Sequence, residues 1–152
     1  SLPRSEVSGR HRASFDTFAP MASAYFVSDI HIMSPHCERA RAFLAFLRSL
    51  SGGSNATHLV LLGDIFDLWV ADHDYFIETY AEIVDEIRRL RKERVDISYF
   101  EGNHDLHLKY FWAERLGLTV HDGPTCVTLG GRRQAVVHAA WRRGDAGARD
   151  PA

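Results

Sequence analysis

No run of apolar residues in this 152-residue chain approaches the roughly 18 residues of a membrane-spanning helix. Charge of one sign is also lacking. The 18 Lys and Arg stand against 20 Asp and Glu, a formal net charge of −2, which gives no general affinity for nucleic acid or an anionic membrane surface. Cysteine is scarce: Cys37 and Cys126 lie far apart, which excludes a disulfide framework and a cysteine-type metal spacing and suits a reducing cytosol. Residues 1–20 carry Arg4, Arg10, His11 and Arg12 without an apolar core, so they are not a secretory signal. Glu6 and Asp16 argue against an organellar transit peptide. Met21 stands just before the first apolar run, and 1–20 reads as a disordered lead ahead of it. No internal repeat is present.

What remains is the composition of an ordinary soluble globular domain, 45% hydrophobic and 25% charged. Three short apolar runs read as buried strands: 24–28, 58–62 and 95–100. Between them, apolar residues at helical spacing predict a helix over 37–50 and a second over 75–91, with Asp74 as the N-cap of the second. Ser51-Gly52-Gly53-Ser54-Asn55 ends the first. A further helix is predicted from Leu106 to Leu116, stopped by Gly117. Residues 125–129 and 134–137, joined through Gly130-Gly131, read as a hairpin. This alternation implies an α/β fold built on a mainly parallel sheet. Residues 141–152 have no periodicity and read as a disordered tail.

Each of the three strands runs into a polar cluster: Asp29-Ile30-His31, Gly63-Asp64-Ile65-Phe66-Asp67 and Gly102-Asn103-His104-Asp105. Open α/β sheets place their chemistry at the carboxyl ends of strands. Carboxylates, imidazoles and one carboxamide converging there suit a pair of divalent metals. Asp29 and His31, two apart, can reach one ion. Asp64 can bridge two, Asn103 offers a neutral oxygen, and His138, which closes another apolar run, can add an imidazole. Two ions about 3.5–4 Å apart would polarise a phosphoryl oxygen and yield a hydroxide nucleophile. His104 would then stabilise phosphoryl charge or protonate the leaving oxygen, with Asp105 holding its tautomer.

Single residues of this kind are more often turn or capping residues. Asp67, Asp72 and Asp74 fall under that reading individually. His36, His58, His73, His107 and His121 read as surface or packing residues. The three clusters are set apart jointly, by their order and their strand-terminal position.

In that order, D-x-H, G-D-x-x-D and G-N-H-D resemble the calcineurin-like metallophosphoesterases. The wording around them is similar to the bacterial UDP-2,3-diacylglucosamine pyrophosphatases of lipid A synthesis. The similarity lies in Phe26 to His31, in Gly63 to Asp72 with its Trp69, and in Gly102 to Asp105 followed by Phe111, Ala113 and Gly117. The resemblance implies a β-sandwich flanked by helices, of which 21–140 would be the N-terminal part, incomplete at its C-terminal end. It implies Asp29 and His31 on one metal, Asp64 bridging, and Asn103 and His138 on the other. It further implies manganese-type ions, a nucleotide-sugar-lipid substrate cleaved to UMP and a lipid monophosphate, and work in the cytoplasm with peripheral contact at the inner membrane.

Two departures qualify it. Many members of the pyrophosphatase family have arginine where this chain has His104. The family's His-Gly-Asp or His-Gly-His is here His138-Ala139-Ala140, and the later Gly-His-x-His motif and helical cap are absent. The change after His138 reads as a truncation or a shifted reading frame, and predicts poor activity for this polypeptide. Two rival functions stay open: a phosphodiesterase or phosphatase acting on nucleotides or phosphoproteins, and an inactive phosphoesterase-like binding module.

Overall fold

A computed structural model describes residues 23–129 and 133–135. The expectations for the lead 1–20, for His138 and for the tail 141–152 lie outside the described residues.

The predicted strands form as Ala24–Val27 (β1), His58–Leu61 (β2) and, after three intervening elements, Asp96–Phe100. Helix Glu38–Ser49 (α1) joins the first two. Beyond β2 come a two-residue strand Trp69–Val70 (β3), helix Asp74–Thr79 (α2) and helix Ala81–Lys92 (α3). Asp96–Phe100 is then β4. Asp105–Leu106 (β5), a π-helical turn Lys109–Ala113, and Thr119–His121 (β6) follow. The hairpin Val127–Leu129 (β7) with Arg133–Ala135 (β8) is antiparallel.

The main sheet has the order β1-β2-β4-β6, all parallel, with Val27, Leu61, Tyr99 and Val120 in one cross-strand row. The first two crossovers step in the same direction, so a right-handed connection puts their helices on one face. There α1 buries Ala40, Phe43 and Leu47, and α3 buries Ile83, Val84, Ile87 and Leu90. Both stripes share one core with Leu59, Leu61, Ile97 and Tyr99. No helix among the described residues is long and apolar enough to cross a membrane.

Arg89 ties these layers together. From α3 its Nη2 donates to the carbonyls of Leu47 (2.9 Å) and Leu50 (3.1 Å) at the end of α1, where Leu47 O also accepts from the Leu50 amide. Glu86 and Glu93 hold the same guanidinium at 2.8 and 2.9 Å. Arg89→Met keeps the stem and removes these donors. It is expected to cost about 1–2 kcal/mol of stability in urea unfolding, and an unchanged midpoint would count against this role.

Three local expectations differ from the structure. The second predicted helix is two helices, broken at Tyr80 (φ −107°, ψ 28°), whose buried hydroxyl donates to the Ile32 carbonyl at 3.3 Å. Its cap is His73, whose Nδ1 accepts from the Tyr75 amide; Asp74 is the first helical residue. Leu106 to Leu116 is not one helix. Trp69 N donates to His104 O (3.0 Å) and Ala71 N to Leu106 O (2.9 Å), drawing Asp105-Leu106 into a parallel ladder before the π turn begins. Further turns carry the chain from Ala113 to Leu116 and stop at Gly117, in the left-handed region at φ 75°.

That small ladder is seated on an aromatic cluster. Trp69 lies 5.0 Å from Phe66, 4.9 Å from Trp112 and 5.5 Å from Phe111, ring centre to ring centre, and Tyr99 meets Trp112 at 5.5 Å. Phe66, Trp69, Tyr99 and Trp112 are fully buried. The loops that follow β2 and β4 therefore rest on packed rings.

Candidate metal centre

Parallel β1, β2 and β4 send their carboxyl ends to one edge of the sheet, and the three polar clusters leave from that edge. The first two loops are laced together. Asp29 N donates to Gly63 O (3.2 Å), His31 N to Asp64 O (3.0 Å), Ile32 N to Ile65 O (3.0 Å), and Asp67 N back to Ile32 O (3.0 Å). Asp29, His31 and Asp64 all have left-handed backbone, with φ of 52°, 49° and 51°. Such a conformation is uncommon outside glycine and costs about 1 kcal/mol or more per residue. Three such residues at one edge are held there by the lacing.

Ligand atoms of Asp29, His31 and Asp64 lie within 4.8 Å of one another. His31 Nε2 is 4.0 Å from Asp29 Oδ1. From the sequence these two side chains are expected to meet through the two-residue repeat of a strand. The strand in fact ends at Val27, and the meeting depends on left-handed turns at both residues.

Asp64 is oriented from the third loop. Its Oδ1 accepts from the His104 amide at 3.0 Å. The Asn103 amide abuts the same carboxylate. With nitrogen inward it donates to Oδ2 at 2.8 Å and Oδ1 at 3.0 Å. With oxygen inward, three oxygens face one another, an arrangement that a cation stabilises.

Close approach of the second and third loops requires two glycines. Gly63 is left-handed at φ 94°, and a Cβ there would come 3.1 Å from Gly102 Cα. A Cβ on Gly102 would overlap Asp64 Oδ1, Asp64 N and Asp105 Oδ1.

Asp105 is not the partner of His104. It is fully buried beneath the loops and accepts four hydrogen bonds. Gly102 N (2.7 Å) and Asp64 N (3.0 Å) donate to Oδ1, and Tyr99 Oη (2.7 Å) and Ile65 N (3.1 Å) to Oδ2. Burial pushes its carboxyl above the usual carboxylate range, against the opposing pull of these donors. All four partners donate, so the ionised form is the one they satisfy. Burial, together with the Asp105 charge, raises the Tyr99 phenol. Asp105 shapes the loops and has no capacity left for an imidazole.

The group beside His104 is Asp67, a residue that reads individually from the sequence as a turn residue. His104 Nδ1 is 2.8 Å from the Asp67 carbonyl and 3.9 Å from its Oδ1. A carbonyl only accepts, so the proton of neutral His104 sits on Nδ1 and Nε2 is left free. The ring meets His31 edge-on at 5.0 Å. Ligand atoms of His31, Asp67 and His104 form a second group within 4.8 Å. The signal for Asp67 was the spacing within Gly63-Asp64-Ile65-Phe66-Asp67: Ile65 and Phe66 are fully buried, and the aspartates flank them.

The donor set fits a divalent cation. Among the described residues neither Asp29 nor Asp64 has a Lys or Arg partner. Two carboxylates, imidazole and amide oxygen together suit a hard or borderline ion.

The family model for calcineurin-like phosphoesterases matches residues 23–138. A UDP-2,3-diacylglucosamine hydrolase of Neisseria meningitidis is 33% identical over 118 residues, 78% of this chain and 48% of the relative. Enzymes of the same description from Aeromonas salmonicida and Cellvibrio japonicus are both 34% identical. They cover 76% and 74% of this chain and 44% and 46% of their own length. The chain thus spans about half the length of these curated relatives. With three matching clusters on one sheet edge and the family model covering 23–138, the chain belongs to the calcineurin-like phosphoesterase family.

Proposed function

We propose that the chain carries a divalent-metal centre serving hydrolysis of a phosphoric anhydride or ester bond. The observation that carries this reading is the convergence of Asp29, His31 and Asp64 within 4.8 Å, with Asn103 against the Asp64 carboxylate. Asp29 and His31 would hold one ion, Asp64 would be shared, and Asn103 with His138 would serve a second. Bound divalent ions supply Lewis-acid polarisation of a phosphoryl oxygen. Manganese is the metal we assign.

The protein's own groups do the rest. His104 N–H fixes the Asp64 carboxylate, and the Asp67 carbonyl fixes the His104 ring. His104 Nε2 is then the free position from which to stabilise phosphoryl charge or pass a proton to the leaving oxygen. The relatives are described as acting on UDP-2,3-diacylglucosamine, and we assign this chain the same substrate class, a nucleotide-sugar lipid cleaved at its pyrophosphate. That substrate implies work in the cytoplasm at the inner membrane.

The test is release of UMP from UDP-2,3-diacylglucosamine by the metal-free chain with and without added Mn2+. Slow release that depends on Mn2+ and is abolished by chelator is the expected result; release indifferent to both would refute the reading. His104→Asn should lower the rate about a hundredfold with Mn2+ binding unchanged. Equal loss of Mn2+ binding would make His104 a ligand instead, in the group it forms with His31 and Asp67.

A further inference from the structure

Two groups of metal-ligating atoms meet at His31, and the proposed centre uses only one of them. Asp29, His31 and Asp64 form the first. His31, Asp67 and His104 form the second, its ligand atoms likewise within 4.8 Å of one another. The side chains of the second group reach solvent: Asp67 is 50% exposed, His104 42% and His31 31%.

The two groups differ in the kind of donor they offer. The first sets two carboxylates beside one imidazole, and the second sets two imidazoles beside one carboxylate. Carboxylate-rich sets suit Mn2+, whereas imidazole suits Zn2+. Two imidazoles and one carboxylate, with a fourth position open to water, make a set that Zn2+ occupies in hydrolytic enzymes. Among the described residues Asp67 has no Lys or Arg partner to neutralise it.

His104 is held as a ligand would be. Its Nδ1 lies 2.8 Å from the backbone carbonyl of Asp67. A metal-ligating imidazole almost always gives its other ring nitrogen to such an acceptor, which fixes the ring and leaves the lone pair on Nε2. The main chain of Asp67 is anchored in turn, its amide donating to Ile32 O at 3.0 Å. The His31 and His104 rings meet edge-on at 5.0 Å. Zinc bonds of about 2.0–2.1 Å place tetrahedral ligand atoms about 3.3 Å apart. The half-exposed Asp67 carboxylate can close that gap by rotating about its side-chain bonds.

We propose that His31, Asp67 and His104 form a second metal site, one that takes a zinc-class ion in competition with the Mn2+ centre. The two sites share one imidazole, so filling the second withdraws His31 from the first. It also covers His104 Nε2, the position left free for phosphoryl chemistry, and so switches the centre off. The competition rests on the proposed reading of the Mn2+ centre; Zn2+ uptake by the second group does not.

The probe is Zn2+, titrated into the metal-free protein and followed by isothermal calorimetry. Asp29→Ala removes a carboxylate from the first group and leaves the second whole, so saturable Zn2+ uptake is expected to persist there. Placed in that background, Asp67→Asn and His104→Asn, both at solvent-exposed side chains, should each weaken it at least about tenfold. In wild-type protein loaded with Mn2+, added Zn2+ should release the free-ion electron paramagnetic resonance signal. Asp67→Asn should raise the Zn2+ needed for that release about tenfold. The proposal is overturned by Zn2+ uptake that is lost in Asp29→Ala, by uptake unchanged in both Asp67→Asn and His104→Asn, or by Zn2+ binding that leaves Mn2+ in place. Zn2+ uptake through Asp67 and His104 in a protein that takes up no Mn2+ would strike the reading of the Mn2+ centre and support this site.

Discussion

Asp105→Asn is expected to destabilise the protein by about 3–4 kcal/mol and to dismantle the third loop with it. The substitution is nearly isosteric, so the effect comes from hydrogen bonding alone. Asp105 Oδ1 accepts from two backbone amides, and Oδ2 from one amide and the Tyr99 hydroxyl. An amide nitrogen in the Oδ1 position would face two N–H groups and orphan both. In the Oδ2 position it would face the Ile65 amide and the Tyr99 hydroxyl; the hydroxyl can rotate to accept, and the Ile65 N–H cannot. Each arrangement also gives up the charge that strengthens every remaining bond. Urea unfolding at neutral pH reads the loss directly, and the Asp64, Ile65 and Gly102 amide resonances report where it falls. A cost under about 1 kcal/mol would show that the four contacts do not carry the loop.

Gly102→Ala is expected to be nearly as damaging, about 3 kcal/mol or more, for a steric reason. The added Cβ would overlap two backbone-anchored neighbours, Asp64 N and the Asp105 carboxylate, along with Asp64 Oδ1. Asp64 N is main chain, and the two carboxylate oxygens, though side-chain ends, are pinned by backbone amides of Gly102, Asp64 and His104. Relief requires the second and third loops to separate, which moves Asp64 away from Asn103 and from the His104 amide that orients it. Loss of stability and of Mn2+ affinity should therefore appear together. A stable Gly102→Ala protein with unchanged Mn2+ affinity would mean that the loops tolerate separation.

What could be read from the sequence, and what could not, follows from the range of each interaction. β2 and the end of β4 are buried on both faces, so Leu59 to Leu61 and Tyr99-Phe100 appear as continuous apolar runs. The glycines before Asp64 and Asn103 mark the loops that follow. The β3–β5 ladder is two residues long on each side and has no periodicity to detect. It forms because Trp69 is anchored among Phe66, Phe111 and Trp112, and it draws Leu106, the first residue of the predicted helix, into a strand with Asp105.

The partners of the catalytic candidates were hidden for a related reason. Asp105 follows His104 directly, and adjacency suggested a pair. The chain reverses the side-chain direction there, sending Asp105 into the core and leaving His104 against a residue from another loop. Asp67 carries a local mark, its spacing from Asp64 within Gly63-Asp64-Ile65-Phe66-Asp67, but nothing local names its partner. Only the lacing of Asp67 N to Ile32 O brings it to His31 and His104.

Whether Asp29, His31, Asp64 and Asn103 hold a divalent metal is read from Mn2+ titration of the metal-free chain followed by electron paramagnetic resonance. Saturable uptake is expected in the wild type, with the free-ion signal reappearing from the first addition in Asp64→Ala. No saturable uptake by the folded wild type, or uptake unaltered in Asp64→Ala, would show that these residues do not hold the metal.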